Sequence, residues 1–501
     1  MNEAFRLAER VIARDPQNAL GQLTLGVRAL RNRQFQTARA SFQRAGGRGR
    51  NADISAALLV GWTHVGSGEL KKALEAVDRF NDPQMAAFRN FYTGLMADVA
   101  GDRREAGKRL KAAYDAEPGT IRLGDAYARF EARHGNREIA KAVYDKFSAN
   151  PAQAAFVAQP RRLVEEGKTP DPLVLNVAQG AADVLYSAAD LGGRPGTEML
   201  SILYLQLANH LHPDNDMILA TKGENFEQAK QLARAVSVYA RVSEDSGLKS
   251  RVTMRAAAAL DTLSRSDEAI QLLEERIAKA PDADDLNLFD TISAIHRGKK
   301  RWPEAVEAAS KAIALVPTPP EKKHWNLFYS RGMAYERSKQ WPLAEADFKM
   351  ALSLLPEDPR TEGDKAARAH VLNYLAYSWV DMGMNIDESF VMLKRAVELQ
   401  PRDGYIIDSL GWAYFKLGKY EDAVRELERA VDIRPQDPVL NDHLGDAYWK
   451  VGRRDEARFQ WNHARDLKPE PEELEKILRK IERGMDEPKA AEGDARKPDG
   501  G

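Results

Sequence analysis

The densest grouping of chemically capable residues in this chain is Asn209-His210-Leu211-His212-Pro213-Asp214-Asn215-Asp216. Two imidazoles one residue apart, followed by carboxylates, are donor types that a divalent transition metal takes. The same string has the make-up of a turn, with Asp and Asn after a proline able to cap the next helix. That turn needs no metal. Gly167-Lys168-Thr169 has the ending of a phosphate-cradling loop, but Arg162 stands where that loop requires glycine and no strand pattern precedes it. His-Glu-x-x-His and Gly-x-Ser-x-Gly are both absent, and His64, His134, His296, His324, His370, His443 and His463 share no spacing that would build a site. Cysteine is absent, which excludes disulfides, thiolate metal sites and cysteine nucleophiles. This reading assigns no catalytic, cofactor-binding or metal-binding residue and does not place the chain among enzymes.

What remains is recognition chemistry. Three stretches set aromatic rings among amides and carboxylates at helical spacing. The first carries His370, Asn373, Tyr374, Tyr377 and Asp381. The second carries Tyr405, Asp408, Ser409, Trp412 and Lys416, and the third Asp442, His443, Asp446, Trp449 and Lys450. Rings supply contact area and polar groups fix register when a protein surface takes a partner. The predicted partner-binding set is Asn373, Tyr374, Tyr377, Asp408, Trp412, Lys416, Asp442, His443, Asp446 and Trp449. Tyr377, Trp412 and Trp449 would form a ladder of rings; the competing role for any one of them is packing against the next repeat. Glu426 and Arg429 are expected on the opposite, outer face.

Two near-copies, Gly404–Pro435 and Pro438–Pro469, set the elements that would position these side chains. Leu410-Gly411-x-x-Tyr414 becomes Leu444-Gly445-x-x-Tyr448. Gly418 maps to Gly452, Ala423 to Ala457, Leu427 to Trp461, Ala430 to Ala464 and Pro435 to Pro469, always at an offset of 34. Mid-helix glycine costs roughly 1 kcal/mol against alanine, so Gly411 and Gly445 predict a second helix passing close by. Gly418 and Gly452 end the first helix of each copy, and the prolines end the second. A lone hairpin cannot bury its apolar face, so copies must stack. This pattern resembles the tetratricopeptide repeat family. The resemblance implies an all-α fold, an α-solenoid superhelix of about a dozen helix-turn-helix repeats, with the first helices lining a concave groove that binds a peptide segment or partner protein. The two-lysine clamp that chaperone-binding members use for a carboxylate is not matched, because Asp408 and Asp442 occupy the corresponding face.

Fainter copies run upstream. Residues 1–151 read as an N-terminal solenoid segment opening in a half repeat (Ala4, Ala8, Val11, Pro16), as if the natural chain began before Met1. Residues 152–173, with Pro160, Pro170 and Pro172, read as an irregular break or hinge, and 174–358 as a divergent central segment. A Gly-rich turn is expected at Gly46–Gly49 and another at Gly192–Gly196. An insertion follows at 359–368, then regular repeats over 369–469, a capping helix over 470–484 and a disordered tail over 485–501.

The 501 residues are 43% hydrophobic and 30% charged, with a net charge of -1. That balance argues against bulk attraction to nucleic acid or anionic lipid, and no apolar run is long enough to span a bilayer. The partner is therefore expected to be protein or peptide, with oligomeric state left open. Leu372–Ser378, Asp408–Trp412 and Asp442–Trp449 are similar to a group of proteobacterial envelope tetratricopeptide proteins, several of them lipoprotein adaptors, including partners of a C-terminal processing protease. That resemblance implies an adaptor serving an envelope complex, periplasmic or outer-membrane associated if an export signal lies upstream. The alternative is a cytoplasmic chaperone-like or regulatory module.

Overall fold

The computed structural model describes residues 1–46, 54–80, 82–191, 197–279 and 285–485. The expected turns at 47–49 and 192–196 and the tail from 486 lie outside these residues. The described residues form helices and no strand, and they divide into two compact units, Met1–Asp284 and Asp285–Gly501. The Pro-containing segment 152–173 is therefore inside a unit. Its first part is the helix Pro151–Glu165, which keeps Pro160 within it and buries Val157 and Val164. An apolar face with somewhere to pack outweighs the hydrogen bond that the proline removes.

The local logic is clearest in the second unit. Asp403 caps the helix Gly404–Lys416, its carboxylate accepting from the Tyr405 and Ile406 amides at 2.9 and 3.4 Å. Asp437 does the same for Pro438–Lys450, and each cap satisfies helix-start donors that have no partner within the helix. Gly418 then turns the chain at φ +73°, a conformation that costs glycine little. The return helix Tyr420–Ile433 lies so close that a Cβ on Gly411 would meet Leu427 at 2.7 Å. Ala423, Leu427 and Ala430 are fully buried in that seam. The same hairpin recurs in Trp325–Arg337 with Trp341–Leu354, in Glu362–Asp381 with Ile386–Leu399, and in Pro438–Lys450 with Arg454–Asp466. Each hairpin packs on the next. The expected insertion at 359–368 is largely helical: Thr361 caps Glu362–Asp381, whose early turns it supplies.

The first unit begins with comparable hairpins, Ala19–Arg31 with Phe35–Ala45, Ile54–Gly66 with Leu70–Asp78, and Ala86–Val99 with Arg103–Ala116. The pair Val177–Leu191 and Glu198–Leu211 then folds back. Val177–Leu191 packs against Ile54–Gly66 and Ala86–Val99, and Glu198–Leu211 against Ala19–Arg31. Gly180 lies over the buried Trp62 ring, where a Cβ would come within 2.2 Å. The Tyr92 hydroxyl donates to Ser187 Oγ at 2.7 Å, and burial pushes that phenol up to about 12. Ala181, Ala182 and Leu185 are fully buried at this junction. The early first helices of this unit, Ala19–Arg31, Ile54–Gly66 and Ala86–Val99, are thus packed on by the chain itself.

Candidate functional site

In the second unit the corresponding faces remain open. Tyr374, Tyr377, Trp412, Asp442, His443 and Asp446, all in the predicted set, line one groove of about 940 Å³. They come from the first helices of three successive hairpins, Glu362–Asp381, Gly404–Lys416 and Pro438–Lys450.

The floor is a stack. The His443 ring lies on Trp412 with centroids 4.1 Å apart and planes 15° apart, and Phe415 also stacks on Trp412 at 4.8 Å and 4°. Asp408 sits beneath, 5% exposed, with both carboxylate oxygens 3.0 Å from His443 Nδ1. Burial opposes charge on His443, but Asp408, with Asp442 and Asp446 behind it, outweighs burial and holds its pKa above the ordinary histidine value. Tyr374 donates its hydroxyl to Glu336 at 3.1 Å. Burial, then the charges of Asp408, Asp381 and Glu473, raise the Tyr377 phenol.

The last helix, Pro471–Arg483, closes one side. Ile477 is buried against the final hairpin, and Lys480 reaches into the groove between Asp442 (2.8 Å) and Asp446 (2.7 Å). Asp446 also accepts from Trp461 Nε1 at 2.9 Å, and burial pushes it up to about 6 against the pull of Lys480. Glu336 and Arg337, Lys300, and Glu470 to Glu473 with Lys476 add to the lining. None of these was in the predicted set. The one signal for Lys480 was its place at the edge of the stripe Leu474, Ile477, Leu478 and Ile481; the others sit on the groove only through tertiary packing.

Four predicted residues lie elsewhere. Trp449 is 7% exposed, packs on Trp461 at 5.3 Å and has Arg454 over its ring at 4.3 Å. It belongs to the core beneath the last helix, so the expected ladder of three rings ends at Trp412. Asp408 is under His443. Lys416 is exposed, its ammonium 5.3 Å from the Trp412 ring centroid. Asn373 is half-buried outside the groove, and its Oδ1 has no hydrogen-bond partner in the protein. On the outer side Arg429 donates to the Pro401 carbonyl, so it joins two repeats.

The His-x-His string behaves as a turn. Asn215 caps the next helix at the Ile218 amide (3.0 Å), His210 meets Phe5 edge-on at 5.2 Å, and His212 Nδ1 lies 3.3 Å from Asn215 Nδ2. Among the described residues no three His, Asp or Glu side chains are grouped to hold a metal ion.

A family model described as a TPR repeat matches residues 411–452. Together with the hairpin geometry it supports the tetratricopeptide reading of these repeats. No curated protein matches the chain. Solved structures similar to it include a tetratricopeptide repeat protein from Parabacteroides merdae, 16% identical, covering 53% of this chain and 98% of that one, with a TM-score of 0.42. The Cut9–Hcn1 hetero-tetramer of APC/C matches at 11% identity over 93% and 96%, with a TM-score of 0.42. MamA matches at 22% over 37% and 97%, with a TM-score of 0.28. At these scores the likenesses carry no argument about what this chain binds. Among the described residues no helix is long and apolar enough to cross a membrane.

Proposed function

We propose that this chain is a non-catalytic protein-interaction scaffold whose second unit takes an extended segment of a partner protein in its groove. The observation that carries this reading is the groove lined by Tyr374, Tyr377, Trp412 and His443 from three consecutive hairpins, on the face that hairpin packing leaves unused. Tyrosine rings offer area at low conformational cost, and neighbouring carboxylates and hydroxyls fix the register of a bound chain. His443 and Phe415 both stack on Trp412, which lines the groove.

The resemblance of Leu372–Ser378, Asp408–Trp412 and Asp442–Trp449 to envelope adaptors supports service in an envelope complex, such as a protease adaptor. A cytoplasmic chaperone-like or regulatory module is the competing reading. Coding sequence upstream of the Met1 codon discriminates them: an in-frame export signal favours the first.

The groove is tested by capturing partners from host extract with the intact chain, with a Tyr377→Ala/Trp412→Ala variant, and with an exposed outer-face control, Glu421→Ala/Arg425→Ala. Truncating central interface aromatics commonly costs about 2 kcal/mol or more, so the first variant loses capture at least tenfold with helicity intact. Equal loss from the control, or loss that follows helicity, would make the rings structural.

A further inference from the structure

We propose that the groove reads a basic side chain, lysine or arginine, of the partner segment at a subsite formed by Asp442 and the edge of Trp412. This deepens the functional reading above and rests on it. Asp442 is 7% exposed and lines the groove. Lys480 holds its Oδ2, while its Oδ1 is buried with no hydrogen-bond partner in the protein. A buried carboxylate oxygen left unpaired is costly, and what satisfies it is a donor, best of all a charged one.

The neighbouring cationic donors are already engaged. His443 Nδ1 is held by Asp408, and Lys480 is shared between Asp442 and Asp446. In the same groove Trp412 Nε1 is buried with no partner either. It is a donor that takes a carbonyl oxygen. An unpaired acceptor and an unpaired donor on residues of one groove suit a chain that brings a cationic side chain and a backbone carbonyl.

The wider field has the same sign. Seven carboxylates against four lysines and arginines line the groove, so the excess stays negative even with His443 charged. All four cations are already paired: Lys480 as above, Lys476 with Glu473 at 2.9 Å, Arg337 with Glu336 at 3.4 Å, and Lys300 with Glu470 at 3.5 Å. A cleft of one sign attracts the opposite charge and repels its own. An acidic segment, or the carboxylate terminus of a partner, meets repulsion here.

Fluorescence anisotropy on the full chain tests this with short labelled peptides of one apolar, aromatic-bearing framework carrying Lys, Arg, Gln or Glu at the centre. The Lys and Arg peptides are expected to bind at least tenfold tighter than the Gln and Glu peptides, with the preference shrinking in high salt. Asp442→Asn is expected to remove most of that preference. Asp381→Asn, at an exposed groove carboxylate that cannot disturb the core, should reduce it by a smaller factor. Equal or tighter binding of the Gln or Glu peptides, no measurable binding of the basic ones, or an Asp442→Asn protein that keeps helicity and full preference overturns the proposal. Should Asp442→Asn lose helicity, a preference unmoved by both salt and Asp381→Asn overturns it equally. Failure of the functional reading is separate: the intact partner would then survive Tyr377→Ala/Trp412→Ala.

Discussion

In the first unit, the faces of the early first helices carry Trp62 and Tyr92, and the pair Val177–Leu191 and Glu198–Leu211 lies on them, with Gly180 over the indole and Ser187 on the phenol. In the second, the corresponding faces carry Tyr377, Asp442, His443 and Asp446 and border a groove of about 940 Å³. The hairpin is the same in both. The difference teaches that hairpin stacking, which uses only the seam between helices, leaves the chemistry of the remaining face free. A face of buried rings against Ala181, Ala182 and Leu185 is stable only when covered. A face of carboxylates is stable when wet or ion-paired, because burying unpaired charge is expensive.

The sharpest way to break this comparison is to remove the ring under the fold-back pair. Trp62→Ala should cost about 3–5 kcal/mol and be confined to the first unit. Site-resolved amide exchange should accelerate across Ile54–Gly66 and Val177–Leu191 and leave Pro438–Lys450 as it was. Equal acceleration in both units would show that the cover is not local to the first.

Gly180→Ala approaches the same contact from the other side. Its Cβ would press on a fully buried indole, and overpacking of this kind costs about 1–3 kcal/mol. A lowered melting transition with the same exchange pattern is expected; an unchanged one would mean that the fold-back pair rides loosely.

Protonation should move the two units in opposite directions. His210 and His212 lie below the ordinary value of 6.5, chiefly because burial disfavours the charged ring. The unfolded chain takes up their protons first, so their contribution is held above pH 6.5 and lost as pH falls below it. His443 lies above that value, so its contribution is full below 6.5 and is lost as pH rises through its raised pKa. Asp446, raised to about 6 with Lys480, Asp442 and His443 around it, adds a loss in the same direction as pH rises. Exchange protection of Glu198–Leu211 should therefore improve from mildly acidic to mildly alkaline conditions while that of Pro438–Lys450 declines. Parallel trends would refute the contrast.

The smallest effect is expected at the rim of the open groove. Lys300 and Glu470 are 70% and 74% exposed at 3.5 Å, and such pairs contribute about 0–1 kcal/mol. Lys300→Ala should shift the melting transition of the second unit barely or not at all. A larger shift would mean that the groove is held closed there rather than open.

Much of this molecule is local, and what is local was legible. Gly411 and Gly445 announced a close helix, Gly418 and Gly452 the turn, Ala423 and Ala430 the seam, and six of the ten predicted residues share one groove. The glycine and alanine positions follow from contacts within one hairpin, set by spacings of three, four and seven residues; the shared groove follows from stacking three such hairpins. Tertiary structure alone decided that the helices Val177–Leu191 and Glu198–Leu211 fold back instead of extending the stack, that Trp449 sinks onto Trp461, and that Lys480 enters the groove. The reason is physical. Each depends on shape or charge matching between side chains on different helices, as with Trp62 and Gly180, and no periodic pattern records which surface an exposed face will meet.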